Sequence, residues 1–446
     1  MPGGAMPEGE GEALVDPAPP WWANPAAGLA VFALPGVLLA YATGPERFLQ
    51  QWGVPKYAGF SELVTGFAAV VAFAAGSAWW RFVQRPHPAM ATAVPADDRL
   101  LRAFRILARV AFVSYALWAL VGLRRGVRLS QLQAVLSGAP FAAFELKELL
   151  APVAGITTFT QTAPVAAGVA GVLIRRGRRR AVQTPLLVLG VLALGRGYFL
   201  SERLAILEIG LPLVLAWLLA RRTDRRLTHG HRAGAAMFPL IYLGVAAALF
   251  SAFEYSRSWA YYRNVSDVSY STFARERFLG YYTTPPNNAA LLKADGGLRP
   301  EPFTMQWLDQ LPVLDLVVDV WSDRSSVTDI LSTTGNPEFN TEGALFAPFI
   351  DWGPSTALLV WFLVGGAFSC VFERVRRGDV AFLPLYGAAY LGIVESGRYF
   401  YWGLGRAFVP LVTGLLVARY AGRSSGLPDR GPLVAAGPPS VRWRPS

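Results

Sequence analysis

Cysteine and histidine are almost missing from this chain. Cys370 stands alone among 446 residues, and the only histidines are His87, His229 and His231. A single cysteine excludes a disulfide framework and a thiolate metal cluster. His229 and His231 flank one glycine, but a solvated polar loop accounts for them as readily as a weak chelate does. Neither a metal site nor a cofactor is therefore expected. Charge is scarce too, at 16% of residues against 53% hydrophobic. The first twenty residues lack the basic n-region of a signal peptide. The Pro/Gly-rich ends, 1–25 and 421–446, read as disordered cytoplasmic tails.

What the chain does have is long apolar runs of about 17–21 residues, enough to cross roughly 30 Å of hydrocarbon at 1.5 Å per residue. Ten spans are counted, near 26–43, 60–80, 106–123, 156–174, 185–200, 204–220, 234–252, 355–371, 380–394 and 400–418. The expected fold is an all-α polytopic membrane protein. Spans one to seven fill 26–252, a large outer loop covers 253–353, and spans eight to ten fill 354–420. Arginine concentrates in 81–105, in the run RRGRRR at 175–180, in 221–232, in 374–377 and from Arg419 onward. These loops fall on one side of a ten-span count, which the positive-inside rule makes the cytoplasm. The net charge of +11 is therefore topological, and RRGRRR is no nucleic-acid patch. Arg124, Arg125 and Arg128 land on the wrong side and fit this scheme poorly.

The stretch LGRGYFLSERLAILEIGLPLVLAW places Arg196, Glu202, Arg203 and Glu208 inside otherwise membrane-like sequence. One charge at the centre of a bilayer costs at least about 2.5–3.5 kcal/mol, so these four must face the bundle interior or a watery cavity. Either they line a functional site, or they form two structural Arg–Glu pairs that fix helix packing. The fifth and sixth spans they join are short and Gly-interrupted, as spans at membrane-depth binding sites often are.

Loop 253–353 is long enough to be functional. Its first part mixes Arg257, Arg263, Arg275 and Arg277 with many tyrosines. Its second part spaces Trp307, Leu311, Leu314, Val318 and Trp321 on one face of an amphipathic helix, suited to lying on a membrane or capping a cavity. Its third part is rich in Gly, Asn and Pro and re-enters the membrane at Asp351. Arginine pairs bidentately with phosphate, aromatic rings stack on sugar faces, and carboxylates such as Glu202, Glu254, Glu342 and Asp351 accept protons from hydroxyls. That set fits a lipid-linked, phosphate-bearing glycan at the outer face.

The order ITTFTQTAP, GRGYFLSERLAILE, RERFLGYYTTPPNNA and NPEFNTEGALFAPFIDWGPS resembles the oligosaccharide repeat-unit polymerases. These are the O-antigen polymerase (Wzy-type) glycosyltransferases of bacterial surface polysaccharide assembly. The resemblance runs from about residue 156 to 419. It implies a GT-C-like, metal-independent enzyme of the bacterial inner membrane, working on the extracytoplasmic face. It also implies an undecaprenyl-diphosphate-linked oligosaccharide as donor and another as acceptor, with a chain-length regulator and a flippase as candidate partners. On that picture Arg196 and Arg203 clamp the diphosphate, and Arg257, Arg275 and Arg277 hold the second phosphate or steer the lipid. Arg398 and Arg406 complete a cationic cavity, with Glu395 neutralising Arg398. Tyr281, Tyr282, Asn287 and Asn288 contact sugar, and Glu202, Glu342 or Asp351 is the general base.

Two features depart from the family. The related O-antigen ligases are expected to carry a histidine in the large outer loop, and this loop has none, which favours polymerase. One long outer loop is visible where many polymerases carry two. Other readings are a flippase or transporter for lipid-linked glycan, another polyprenyl-phosphate-dependent transferase, and a scaffold. A transporter predicts repeat symmetry between halves, and none is seen.

Overall fold

The computed structural model describes residues 19–84, 97–139, 141–220, 236–265, 267–294, 302–310 and 327–422. Residues 1–18 and 423–446 of the expected tails, all three histidines and most of the expected amphipathic helix at 307–321 lie outside the described residues, as does the side chain of Arg257. By contrast, Trp21–Ala23 of the expected N-terminal tail form a helical turn, with Trp22 fully buried. Regular structure among the described residues is entirely helical. The first group is α1 (Pro25–Ala42), α2 (Pro45–Trp52), α3 (Phe60–Val83), α4 (Asp97–Arg124), α5 (Leu129–Leu136) and α6 (Ala142–Leu149). Then come α7 (Ile156–Thr160), α8 (Ala163–Arg175), α9 (Arg179–Phe199), α10 (Leu204–Leu219) and α11 (Phe238–Glu254). The last are α12 (Tyr270–Ala294), α13 (Val327–Thr333), α14 (Ala347–Arg376), α15 (Leu383–Val394) and α16 (Gly405–Gly422).

Among the described residues, seven helical segments are long and apolar enough to cross a membrane: α1, α3, α4, Ile156–Arg175, α9, α14 and Val380–Gly397. That agrees with an all-α polytopic membrane protein and leaves the count of ten unconfirmed. Helices do occupy the other three expected positions. However, α10 and α11 have 16 and 17 residues, and α16 does not reach the same apolar threshold.

Small residues let the helices meet backbone to backbone, the usual route to tight packing where lipid removes the hydrophobic drive. A Cβ at Gly76 of α3 would lie 1.8 Å from the Phe362 carbonyl oxygen of α14, and one at Gly365 would lie 2.0 Å from that of Phe73. Nearby, Ser369 donates to the Ser77 carbonyl at 3.0 Å. In the interior, α8 and α15 are sheathed almost completely by neighbours. Gly168 rests on Pro384, and Gly387 rests on Pro212. We expect Gly76→Val and Gly365→Val each to lower thermal stability in detergent, overpacking of this kind costing about 1–3 kcal/mol. Gly190→Val, with open space around it, is the control. Equal melting of all three variants would refute backbone contact between α3 and α14.

Among the described residues, parts of three basic segments meet at one end. Arg176 pairs with Asp97 at 2.7 Å, Arg175 lies over Trp217, and Arg102 reaches Tyr420 at 3.4 Å. At the other end, the misfit Arg125 donates to the carbonyls of Leu149 and Ala151, at 3.4 and 2.8 Å. It caps the end of α6, so its place follows from local hydrogen bonding rather than from topology.

The segment 253–353 is less a loop than expected. A π-helical turn, Tyr255–Trp259, follows α11, and α12 runs for 25 residues straight through YTTPPNN. It packs so closely on α1 that a Cβ at Gly36 would lie 2.5 Å from the Tyr282 carbonyl oxygen. Pro285 and Pro286 withdraw the N–H groups that the Tyr281 and Tyr282 carbonyls would receive, and just before them the Thr283 and Thr284 hydroxyls donate back to the Leu279 and Gly280 carbonyls. The stretch 125–155, between the third and fourth expected spans, forms α5 and α6. It is a second helical segment at the same end as Ser201, since both border one cavity. A single long outer loop was therefore an incomplete expectation.

Candidate active site

Between α9 and α10 the chain turns at Ser201, whose φ of +53° is left-handed for a residue other than glycine. Glu202 and Arg203 follow at once and join two separate ladders of charge. In the first, Arg196 Nη2 lies 2.6 Å from Glu202, Arg406 lies 3.5 Å from Glu202, and Arg406 Nε lies 2.7 Å from Glu208. Tyr401 donates its hydroxyl to Glu208 at 3.2 Å. In the second, Glu254 accepts from both Arg203 and Arg277, the latter at 2.7 Å, and Arg277 also pairs with Glu338. Tyr262 donates to Glu338 at 3.1 Å. A separate pair joins Arg398 to Glu395 at 2.9 Å.

The expected cationic cavity is therefore corrected. Arg196, Arg203, Arg277, Arg398 and Arg406 are matched by Glu202, Glu208, Glu254, Glu338 and Glu395, so the network carries no net charge with all ten ionised. Low dielectric explains the matching, because an unpaired buried ion costs several kcal/mol. Pairing does not exhaust a guanidinium, however. It has five N–H donors, and a carboxylate engages two at most in a fork.

Part of this network opens. Arg203 and Arg398 lie 5.0 and 4.9 Å from the ring centroid of Tyr281, and Arg203 lies 4.2 Å from that of Phe250. Together with Glu395 and Tyr282 they line a narrow cleft of about 40 Å³, whose other walls include Leu207, Leu249 and Phe278. Nε of Arg398 is buried with no hydrogen-bond partner among the described residues. Charged groups at one side and aliphatic walls at the other make the cleft amphipathic. Scans against family models, curated proteins and solved structures find no match for this chain.

A second cavity, of about 520 Å³, lies between the α5–α6 segment and the chain after α11. Phe141, Phe144, Lys147, Ser201, Ser258, Tyr261, Tyr262 and Glu338 line it. The Arg203–Glu254–Arg277–Glu338 ladder runs from the cleft to this cavity, Arg203 bordering one and Glu338 the other.

The nominated residues divide. Arg203, Arg398, Tyr281 and Tyr282 line the cleft; Arg277 stands behind it in the ladder, and Arg196 belongs to the other ladder beneath Trp118, 5.5 Å from its ring centroid. Arg275 faces outward. Asn287 accepts from the Tyr57 and Ala58 amides and donates to Pro55, while Asn288 donates to Phe339 and Thr341. Both asparagines are 1% exposed, so they tie loops together and do not offer amides to a sugar. Asp351 accepts three hydrogen bonds from Phe303 and Thr304 and anchors that segment. Glu202 is held by two arginines. Glu342 accepts from the Phe400 amide at 3.1 Å, and burial pushes its carboxyl up to about 7. Glu338, Tyr242, Phe250 and the α5–α6 segment went unseen in the sequence, because spacing carries no signal for partners far apart in the chain.

Proposed function

We propose that the protein is a membrane glycosyltransferase that polymerises oligosaccharide repeat units carried on undecaprenyl diphosphate. The observation that supports it is the amphipathic cleft with Arg203 and Arg398 beside Tyr281. Apolar walls suit a polyprenyl chain, and guanidinium donors suit the diphosphate that joins it to sugar. The larger, aromatic and polar cavity suits the glycan, since Tyr261, Tyr262 and Phe141 offer flat faces and Lys147, Ser201 and Glu338 offer polar groups.

In the reaction, a hydroxyl of the acceptor glycan attacks the anomeric carbon of the donor. The new C–O bond forms as the bond to the diphosphate oxygen breaks, and undecaprenyl diphosphate leaves with the electron pair. Arg203 and Arg398 neutralise the charge that develops there. The hydroxyl proton passes to a carboxylate; Glu342 has a pKa near the working pH, which suits a base, but it borders neither the cleft nor the larger cavity. The backbone next to it touches the site, the Gly343 amide donating to the Arg398 carbonyl at 2.7 Å.

Deleting the gene and analysing lipid-linked glycans by mass spectrometry tests this reading. Single repeats on the lipid carrier at the outer face are expected. Finished polymer retained on the carrier would indicate a ligase, and single repeats trapped inside would indicate a flippase.

A further inference from the structure

The exposed face of α4 changes character along its length. Arg102, Arg105 and Arg109 are exposed at helical spacing, and Ile106, Val113, Leu117, Leu120 and Leu123 continue the same stripe. Arg102 reaches Tyr420 of α16. Arg105 and Arg109 make no hydrogen bond or ion pair among the described residues. Arg109 is about 10 Å further along the helix than Arg102. Arg109 falls within the apolar run 106–123 of α4, one of the helices long and apolar enough to span. Every other midspan arginine in the charge ladders has a glutamate; this one faces outward with none.

We propose that Arg105 and Arg109 form a binding site for the headgroup of an anionic phospholipid. One turn apart, their guanidiniums can grip one phosphate from two sides, and the acyl chains then lie along Val113 to Leu123. The phosphodiester supplies the counter-charge that the protein provides elsewhere through glutamate. This site lies on the outer surface of α4 and is independent of the cleft and of the enzyme reading.

Native mass spectrometry of the full chain released from phosphatidylcholine nanodiscs, with increasing phosphatidylglycerol, tests it. The wild type is expected to retain phosphatidylglycerol selectively. In Arg105→Gln/Arg109→Gln, selectivity should fall about ten- to thirty-fold, each basic residue near an anionic surface contributing roughly a factor of five. Arg105→Lys/Arg109→Lys should keep most of it, which separates charge from folding. Inorganic phosphate at matched concentration should not displace the lipid; displacement would mean a site for free phosphate and would overturn the proposal. Undiminished lipid retention in the Gln variant would overturn it as well. So would a wild-type dimer that the Gln variant dissolves, because the face would then be covered by a second copy.

Discussion

Cells producing Arg203→Ala accumulate single repeats on lipid carrier and make no polymer, while the protein itself reaches the membrane in normal amount. Arg203 gives one hydrogen bond set to Glu254 and lies over both Phe250 and Tyr281 at the lip of the cleft. Removing one preorganised donor at a developing charge typically raises the barrier by about 2.7–4 kcal/mol, a loss of roughly a hundred- to a thousandfold. The fold survives because Glu254 keeps Arg277 as partner at 2.7 Å. Arg203→Lys retains charge but not the planar fork, so it recovers only a small part of the activity. Arg398→Ala should act in the same direction, since its guanidinium shares the Tyr281 ring. The measurement is chain length by gel, together with mass spectrometry of lipid-linked glycans. Normal chain lengths in Arg203→Ala would remove this residue from the chemistry.

Much of the architecture is legible in the sequence for a plain reason. Lipid solvation writes itself into runs of apolar residues, so α1, α3, α4, α9 and α14 stand close to their expected positions. Charged residues inside those runs are equally visible, because few structures tolerate them. Their partners are not. Arg203 and Glu254 are 51 residues apart, and Arg406 and Glu208 are 198 apart, distances that no local period encodes. Proline and asparagine mislead in YTTPPNN, where local preference says loop. Tertiary contacts override it: α12 packs tightly on α1 at Gly36, and the buried Asn287 and Asn288 amides donate to the carbonyls of Pro55, Phe339 and Thr341 in neighbouring segments. The α5–α6 segment is hidden for a related reason: eight-residue helices carry too few periods to register.

Glu254→Ala should act at a different level from Arg203→Ala. Glu254 is fully buried and bridges two guanidiniums. Its loss leaves Arg203 and Arg277 facing each other across the gap with no counter-charge from that side, and breaking a buried pair in this way costs about 3–5 kcal/mol. For a marginally stable protein that is a large share of the total, so detergent-solubilised Glu254→Ala should aggregate or melt far below wild type. Glu254→Gln keeps the shape and one acceptor, so it should fall in between. Pairing Glu254→Gln with Arg277→Gln should cost less than the two single changes added together, because the second removes the charge that the first exposed. Fluorescence-detected size exclusion after a temperature ramp reads all four variants against wild type. Glu254→Ala melting with wild type would show that the ladder does not hold the cleft and the larger cavity together. The contrast with Arg203 is what separates the roles: a group that meets substrate loses turnover with its fold intact, whereas the carboxylate that holds two such groups in place loses the fold first.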